Sequence, residues 1–150
     1  MANKDAAFGL KPIGKVGQNR DNQGLSEYDI AASATAIYFN DPVKMKSDGT
    51  IEVAGAGGAI LGSINGVFFT DATTSKPTFA NHLNASNTAT DIVGFISDDP
   101  YERFEIQTNN TGASAKTDIF NVADIEYTAG SSPDFVSAVE LNDSTLANGS

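Results

Sequence analysis

The apolar residues of this chain fall in short segments that recur at roughly ten-residue intervals, with turn-forming residues between them. No stretch repeats apolar residues at the 3.6-residue period over the several turns that an amphipathic helix needs. Strands of that length at that spacing are typical of antiparallel architectures. At 150 residues the chain is long enough to bury one core. We therefore predict an all-β fold, either a small barrel or a sandwich.

Two turn motifs fix where neighbouring strand candidates meet. Ser47-Asp48-Gly49 predicts a hairpin between 43–46 and 51–53, and Asp98-Asp99-Pro100 predicts a turn that joins 92–96 to 101–107 in a second hairpin. Residues 71–90 are polar and predict a long surface loop that contains Pro77, Phe79 and His82. The strand candidates are 28–30, 36–39, 43–46, 51–53, 59–61, 64–70, 92–96, 101–107, 119–127 and 135–141.

The first part of the chain has a different character. Glycine and proline interrupt its apolar residues, so we predict an extended N-terminal arm at 1–24 and a β-rich body at 25–150. Residues 1–46 carry six basic and five acidic groups, whereas 47–150 carry three basic and 14 acidic groups. Residues 1–20 hold four of these basic groups against only Asp5, so the arm can approach an acidic surface that repels the body, and we expect it to bind a partner protein. The predicted partner-binding residues are Phe8, Leu10, Lys11, Pro12, Ile13, Lys15, Val16 and Arg20.

Charge and composition disfavour several kinds of partner. The net charge of -10 opposes binding to a phosphate backbone, so we expect no nucleic acid. No run of 18 apolar residues is present, which predicts no membrane span, and the first residues lack the apolar stretch of a signal peptide. We therefore expect synthesis in a cytoplasm. The absence of cysteine excludes disulfides and thiolate metal sites.

One segment matches the phosphate-binding pattern G-x-x-x-x-G-K, at Gly9 to Lys15. That loop requires a hydroxyl residue after the lysine, backbone amides along the cradle and a buried strand before it. Here Val16 follows the lysine, and Pro12 removes an amide. We predict that the chain binds no nucleotide.

The remaining polar motifs do not assemble a catalytic site. Asp98 and Asp99 could serve as paired carboxylates for glycoside hydrolysis, but adjacent acids before Pro100 are more typical of a turn. His82 is the only histidine and lies in a polar segment, so triads and multi-histidine metal sites lack their components. We predict that the protein is not an enzyme and that it uses no cofactor and no metal.

Short motifs occur along most of the chain, namely Met1-Ala2-Asn3, Phe8-Gly9-Leu10-Lys11-Pro12, Phe39-Asn40-Asp41-Pro42-Val43-Lys44, Ile92-Val93, Ser97-Asp98-Asp99-Pro100, Phe104-Glu105-Ile106-Gln107 and Val139-Glu140-Leu141-Asn142-Asp143-Ser144. In the same order, they resemble motifs of the head decoration (cement) proteins of tailed bacteriophages, especially marine and aquatic ones. Position 11 is lysine where that family commonly has arginine, which keeps the charge but loses the planar fork. Related sequences usually continue with another strand beyond Ser150.

The resemblance implies a structural protein on the outer face of a capsid, assembled in the cytoplasm of a host bacterium. Its partners would be the major capsid protein and further copies of itself, in a homotrimer at local three-fold positions or, as the main alternative, in a dimer at two-fold positions. A tail or fibre adaptor of the virion is the nearest alternative. A carbohydrate-binding β-domain is a third possibility, although the chain has no Trp to form an aromatic sugar platform.

Overall fold

The structure, a computed structural model, describes residues 5–17, 24–109 and 114–148. Across these ranges the regular structure is β-strand apart from two single 3-10 turns, so the all-β prediction is confirmed. No helix in the described ranges is long and apolar enough to cross a membrane. The strands are β1 (Lys11–Lys15), β2 (Ser26–Asp29), β3 (Pro42–Met45), β4 (Ile51–Val53), β5 (Gly62–Thr70), β6 (Pro77–Ala80), β7 (Val93–Ser97), β8 (Glu102–Glu105), β9 (Asn121–Val122), β10 (Ile125–Glu126), β11 (Glu140–Leu141) and β12 (Ala147–Asn148); the 3-10 turns are Lys116–Asp118 and Asp143–Thr145.

The main sheet curls until its two ends meet. Its strand order is β2-β7-β5-β3-β4, and β6 lies beside β3 along the same edge of β5. All of these pairs are antiparallel. A single parallel bridge between Ile30, just after β2, and Ile51 in β4 brings the first and last strands together. The sheet is therefore a small, nearly closed barrel.

The core fills the inside of this barrel with branched aliphatic side chains. Gly94 shows how tightly they pack, because a Cβ atom there would lie 3.1 to 3.4 Å from the Cδ1 atoms of Ile30, Ile51 and Ile64. Each such isoleucine contributes about 1.5 to 3 kcal/mol on burial. The buried core cluster consists of Ile30, Ile37, Val43, Ile51, Ile64, Val67, Leu83, Ala89, Ile92 and Ile96.

A β-bulge in β5 decides which side chains face this core. The register to β7 shifts between Ile64 and Gly66, so Asn65 is an extra residue. Ile64 and Val67 both point inward although they are three residues apart. Phe68 is consequently turned to the outer face of the sheet.

Several local predictions differ from the structure. Residues 36–39 contain only the isolated bridges of Ile37 and Phe39 instead of a strand, and the candidates 119–127 and 135–141 are strands only at β9, β10 and β11. β7 and β8 do not form a hairpin, because β7 lies between β2 and β5 while β8 pairs with β1. Residues 59–61 form no strand, whereas the segment predicted to be a loop contains β6, which completes the edge of β5 with only four residues. The hairpin at Ser47-Asp48-Gly49 is confirmed by the antiparallel pairing of β3 with β4.

Candidate subunit-binding surface

The segment predicted to be an arm lies, in its described part, along the body of its own chain. The side-chain amide of Asn40 donates a hydrogen bond to the carbonyl oxygen of Phe8 over 3.0 Å. The backbone amide of Leu10 donates to the carbonyl oxygen of Asn40 over 2.9 Å. The buried hydroxyl of Ser63 donates to the carbonyl oxygen of Leu10 over 2.6 Å. These three bonds attach the segment to the end of the barrel.

Gly9 makes this close attachment possible. Its φ is +71°, a left-handed conformation that side chains with a Cβ adopt only with strain. A Cβ atom at this position would also collide with the carbonyl oxygen of Asn40 and with the side chain of Ser137. The backbone can therefore lie directly on the body, and Leu10 beside it is buried.

Beyond Leu10 the chain forms a two-stranded ribbon with a distant segment. β1 pairs antiparallel with β8, with Lys11 opposite Glu105 and Lys15 opposite Glu102. A register shift between Pro12 and Gly14 makes Ile13 the bulged residue. The amide of Gly14 donates to the carboxylate of Glu102 over 2.9 Å, which fixes the bulge.

The two described lysines of the predicted site are paired inside the chain. The Nζ atom of Lys15 lies 3.3 Å from Asp99 Oδ2, and the Lys15 side chain is only 10% exposed. The Nζ atom of Lys11 lies 3.4 Å from Glu105 Oε2 at the surface. Much of the positive charge predicted to attract a partner is thus balanced within the molecule.

Some apolar residues of the predicted site are buried against the body, and others are exposed to solvent. Leu10 is buried, and Phe8 and Pro12 are half-buried. Ile13 and Val16 are 54% and 55% exposed, so they are the side chains that the ribbon offers to another molecule. Arg20, the last predicted residue, lies outside the described residues.

The acidic motif at the start of β8 has structural roles. The carboxylate of Asp98 accepts hydrogen bonds from Ser26 Oγ at 2.8 Å and from Tyr28 Oη at 2.6 Å. The bond from Tyr28, together with burial and the negative charge of Asp98, raises the pKa of Tyr28. The carboxylate of Asp99 accepts from the amide of Tyr101 over 2.8 Å, which is a turn interaction. The predicted turn is present, and both carboxylates are engaged in holding strands together.

A buried carboxylate lies next to the attachment point. Asp41 is fully buried, and burial raises its pKa from 3.8 to about 6. The hydrogen bond that its Oδ2 accepts from the amide of Tyr38 at 2.7 Å offsets only part of this effect. Burial, together with the charge of Asp41, also raises the pKa of Tyr127 to about 12.

Several surface aromatic residues were given no role in the sequence predictions. His82, predicted to be solvated, stacks on Phe135 with ring centroids 3.9 Å apart. Phe79 lies on an outer strand at 74% exposure, and Phe120 is 93% exposed at a φ of +72°. Only the isolated hydrophobicity of Phe79 and Phe120 in polar segments could have indicated them. Among the described residues, no group of three or more His, Cys, Asp or Glu side chains could hold a metal ion.

Comparison of the chain with models of protein families, with curated proteins and with solved structures found no match.

Proposed function

We propose that this protein is a decoration protein that binds the outer face of a phage head and stabilises contacts between major capsid protein subunits. The observation that supports this proposal best is the display of Ile13 and Val16 on the β1–β8 ribbon. Among the described residues, β1 has β8 as its only strand neighbour, so its second edge can pair with a strand of another protein.

The attachment of the segment to its own body favours binding. Ordering a flexible chain costs roughly 1 kcal/mol or more per residue, which would exceed the gain from a few apolar contacts. Here the hydrogen bonds to Leu10 and Phe8 order the segment during folding, before any partner arrives. A partner that covers the exposed parts of Ile13 and Val16 gains roughly 1 kcal/mol from each, with little ordering cost.

Self-association would convert this modest contact into firm binding. In a homotrimer, the oligomer that the family resemblance implies, three ribbons would bind one local three-fold position of the shell at high effective concentration. The acidic body would then face solvent and keep neighbouring particles apart.

The experiment that tests this function is quantification of the protein in purified virions. Label-based mass spectrometry gives its copy number relative to the major capsid protein, and a cryo-electron microscopy map gives its position. Hundreds of copies on the outer face of the head support decoration. A few copies at the tail or fibres would contradict it and would assign the protein to an adaptor instead, and absence from the particle would exclude both.

A further inference from the structure

A row of phenylalanine rings crosses the outer face of the barrel. Phe68 in β5 lies opposite Phe79 in β6, and their ring centroids are 4.8 Å apart. Phe79 also stacks on Phe95 in β7 at 6.4 Å, with 17° between the ring planes. None of the three belongs to the buried core cluster, and Phe79 is 74% exposed.

Two carboxylates continue this row on the end strand of the sheet. In the pairing of β2 with β7, Glu27 is opposite Phe95 and Asp29 is opposite Val93. Because opposite residues share a face, both acids project from the same surface as the rings. Both are exposed, and neither has an ion-pair partner among the described residues.

Aromatic rings beside carboxylates favour one class of ligand, a basic side chain with an apolar stem. Aromatic faces attract cations, and long basic side chains lay an apolar stem on hydrophobic surface while their charged head reaches an acid. We infer that the face formed by Phe68, Phe79, Phe95, Glu27 and Asp29 binds arginine or lysine side chains of an extended segment of a partner protein. Glu27 and Asp29 are two residues apart on a strand, so two cations that alternate along an extended segment match them.

The same charges argue against other occupants. Two exposed carboxylates repel anionic lipid headgroups and nucleic acid phosphates. The chain's own β1 lysines are engaged with Glu105 and Asp99, which makes β1 of a second copy a poorer match than a foreign basic segment. This surface contains neither Ile13 nor Val16, and the inference goes beyond the proposed function.

The test uses the full chain and a short synthetic peptide of alternating arginine and valine with blocked ends. Nuclear magnetic resonance titration should show shifts confined to the amides of 27–29, 66–68, 79–80 and 93–95. The peptide with citrulline in place of each arginine keeps the shape without the charge, and should bind at least about tenfold more weakly.

Surface variants then locate the site. Phe79→Ser and the double variant Glu27→Gln with Asp29→Asn should each weaken binding about tenfold. The first removes an aromatic ring that contacts the cation, and the second removes the two negative charges. Phe120→Ser and Asp124→Asn, which change an exposed ring and an exposed acid in another region, are matched controls that should bind as the unmodified chain does.

Absence of binding, equal loss in the controls or indifference to Phe79→Ser would overturn the inference. Concentration-dependent shifts of the same amides without peptide would assign the face to a second copy, and would also overturn it. The titration involves no shell, so its failure leaves the proposed function untouched.

Discussion

Asn40 and Leu10 are joined by a 2.9 Å hydrogen bond from the amide of Leu10 to the carbonyl oxygen of Asn40. The side chain of Asn40 meanwhile holds the carbonyl of Phe8. Asn40 itself is buried at a φ of +66°, a left-handed conformation that asparagine tolerates better than most residues. Asn40 thus makes two of the three hydrogen bonds that attach the N-terminal segment to the body.

Substitution of Asn40 should therefore loosen the segment. Asn40→Ala removes the donor to Phe8 and adds backbone strain, so we expect the free energy of unfolding to fall by about 2 to 3 kcal/mol. Asn40→Gly removes the donor without the strain, and the loss should be nearer about 1 kcal/mol. Urea unfolding measures both, and amide exchange should rise at residues 8–16. Unchanged exchange there in both variants would show that Asn40 does not hold the segment.

Gly9 provides a second test with a matched control. Gly57 has nearly the same φ, +68° against +71°, but a Cβ atom there would have nothing within 4 Å. Gly57→Ala should cost only the strain of the left-handed conformation, about 1 to 2 kcal/mol. Gly9→Ala adds the collision with Asn40 and Ser137 and should cost at least roughly 2 kcal/mol more, measured by thermal or urea unfolding. Equal losses in the two variants would contradict the close approach at Gly9.

Asp41 should make stability depend on pH. Its pKa is about 6 in the folded protein and near the ordinary 3.8 when unfolded, so between these values the folded state binds more protons. The contribution of Asp41 is fully present below pH 3.8 and is lost as the pH rises through about 6. This contribution to the free energy of unfolding is on the order of 3 kcal/mol at most.

The variant Asp41→Asn isolates this effect from the other carboxylates, and its oxygen can still accept from the amide of Tyr38. Unfolding free energies of both proteins should be measured at pH 4 and pH 7.5. The advantage of the natural chain over the variant should be greater at pH 4 than at pH 7.5. A difference that stays constant between these pH values, or that grows with pH, would show that burial does not raise the pKa of Asp41.

Features encoded by adjacent residues could be predicted from the sequence. The turns at Ser47-Asp48-Gly49 and Asp98-Asp99-Pro100 depend on local hydrogen bonds, such as those that Asp48 accepts from Thr50 and that Asp99 accepts from Tyr101. The apolar strands β5 and β7 carry the same kind of local signal. These elements, together with the missing helical period, were enough to predict the fold class.

Features that depend on distant partners could not be predicted. Lys11 and Glu105 face each other across 94 residues of sequence, and neither segment indicates the other. The bulge at Asn65 shifts by one residue the alternation of inward and outward side chains along β5. The outward direction of Phe68 therefore does not follow from the two-residue period of a regular strand. β6 has only Phe79 and Ala80 as apolar members beyond its proline, because pairing with β5 rather than hydrophobicity makes it a strand.

Deletion of the N-terminal segment would be an ambiguous test of the proposed binding surface. Deleting residues 2–20 would remove β1 from β8 and uncover Ser63 and Asn40, so loss of binding could reflect damage to the body. Substitution of the displayed side chains avoids this problem. Ile13→Ser with Val16→Ser leaves the hydrogen bonds of Leu10 in place, and Met45→Ser, at another exposed apolar residue, serves as the control.

The most direct test of the decoration mechanism is the binding of these proteins to phage shells from which the natural protein is absent. Saturation at equal concentrations can be measured by sedimentation of the shells and quantification of the bound chain. We predict that Met45→Ser binds as the natural chain does, whereas Ile13→Ser with Val16→Ser binds at least about tenfold more weakly, since roughly 1 kcal/mol is lost at each of the two positions in each copy. Full decoration by the double variant at the same concentration would contradict the account.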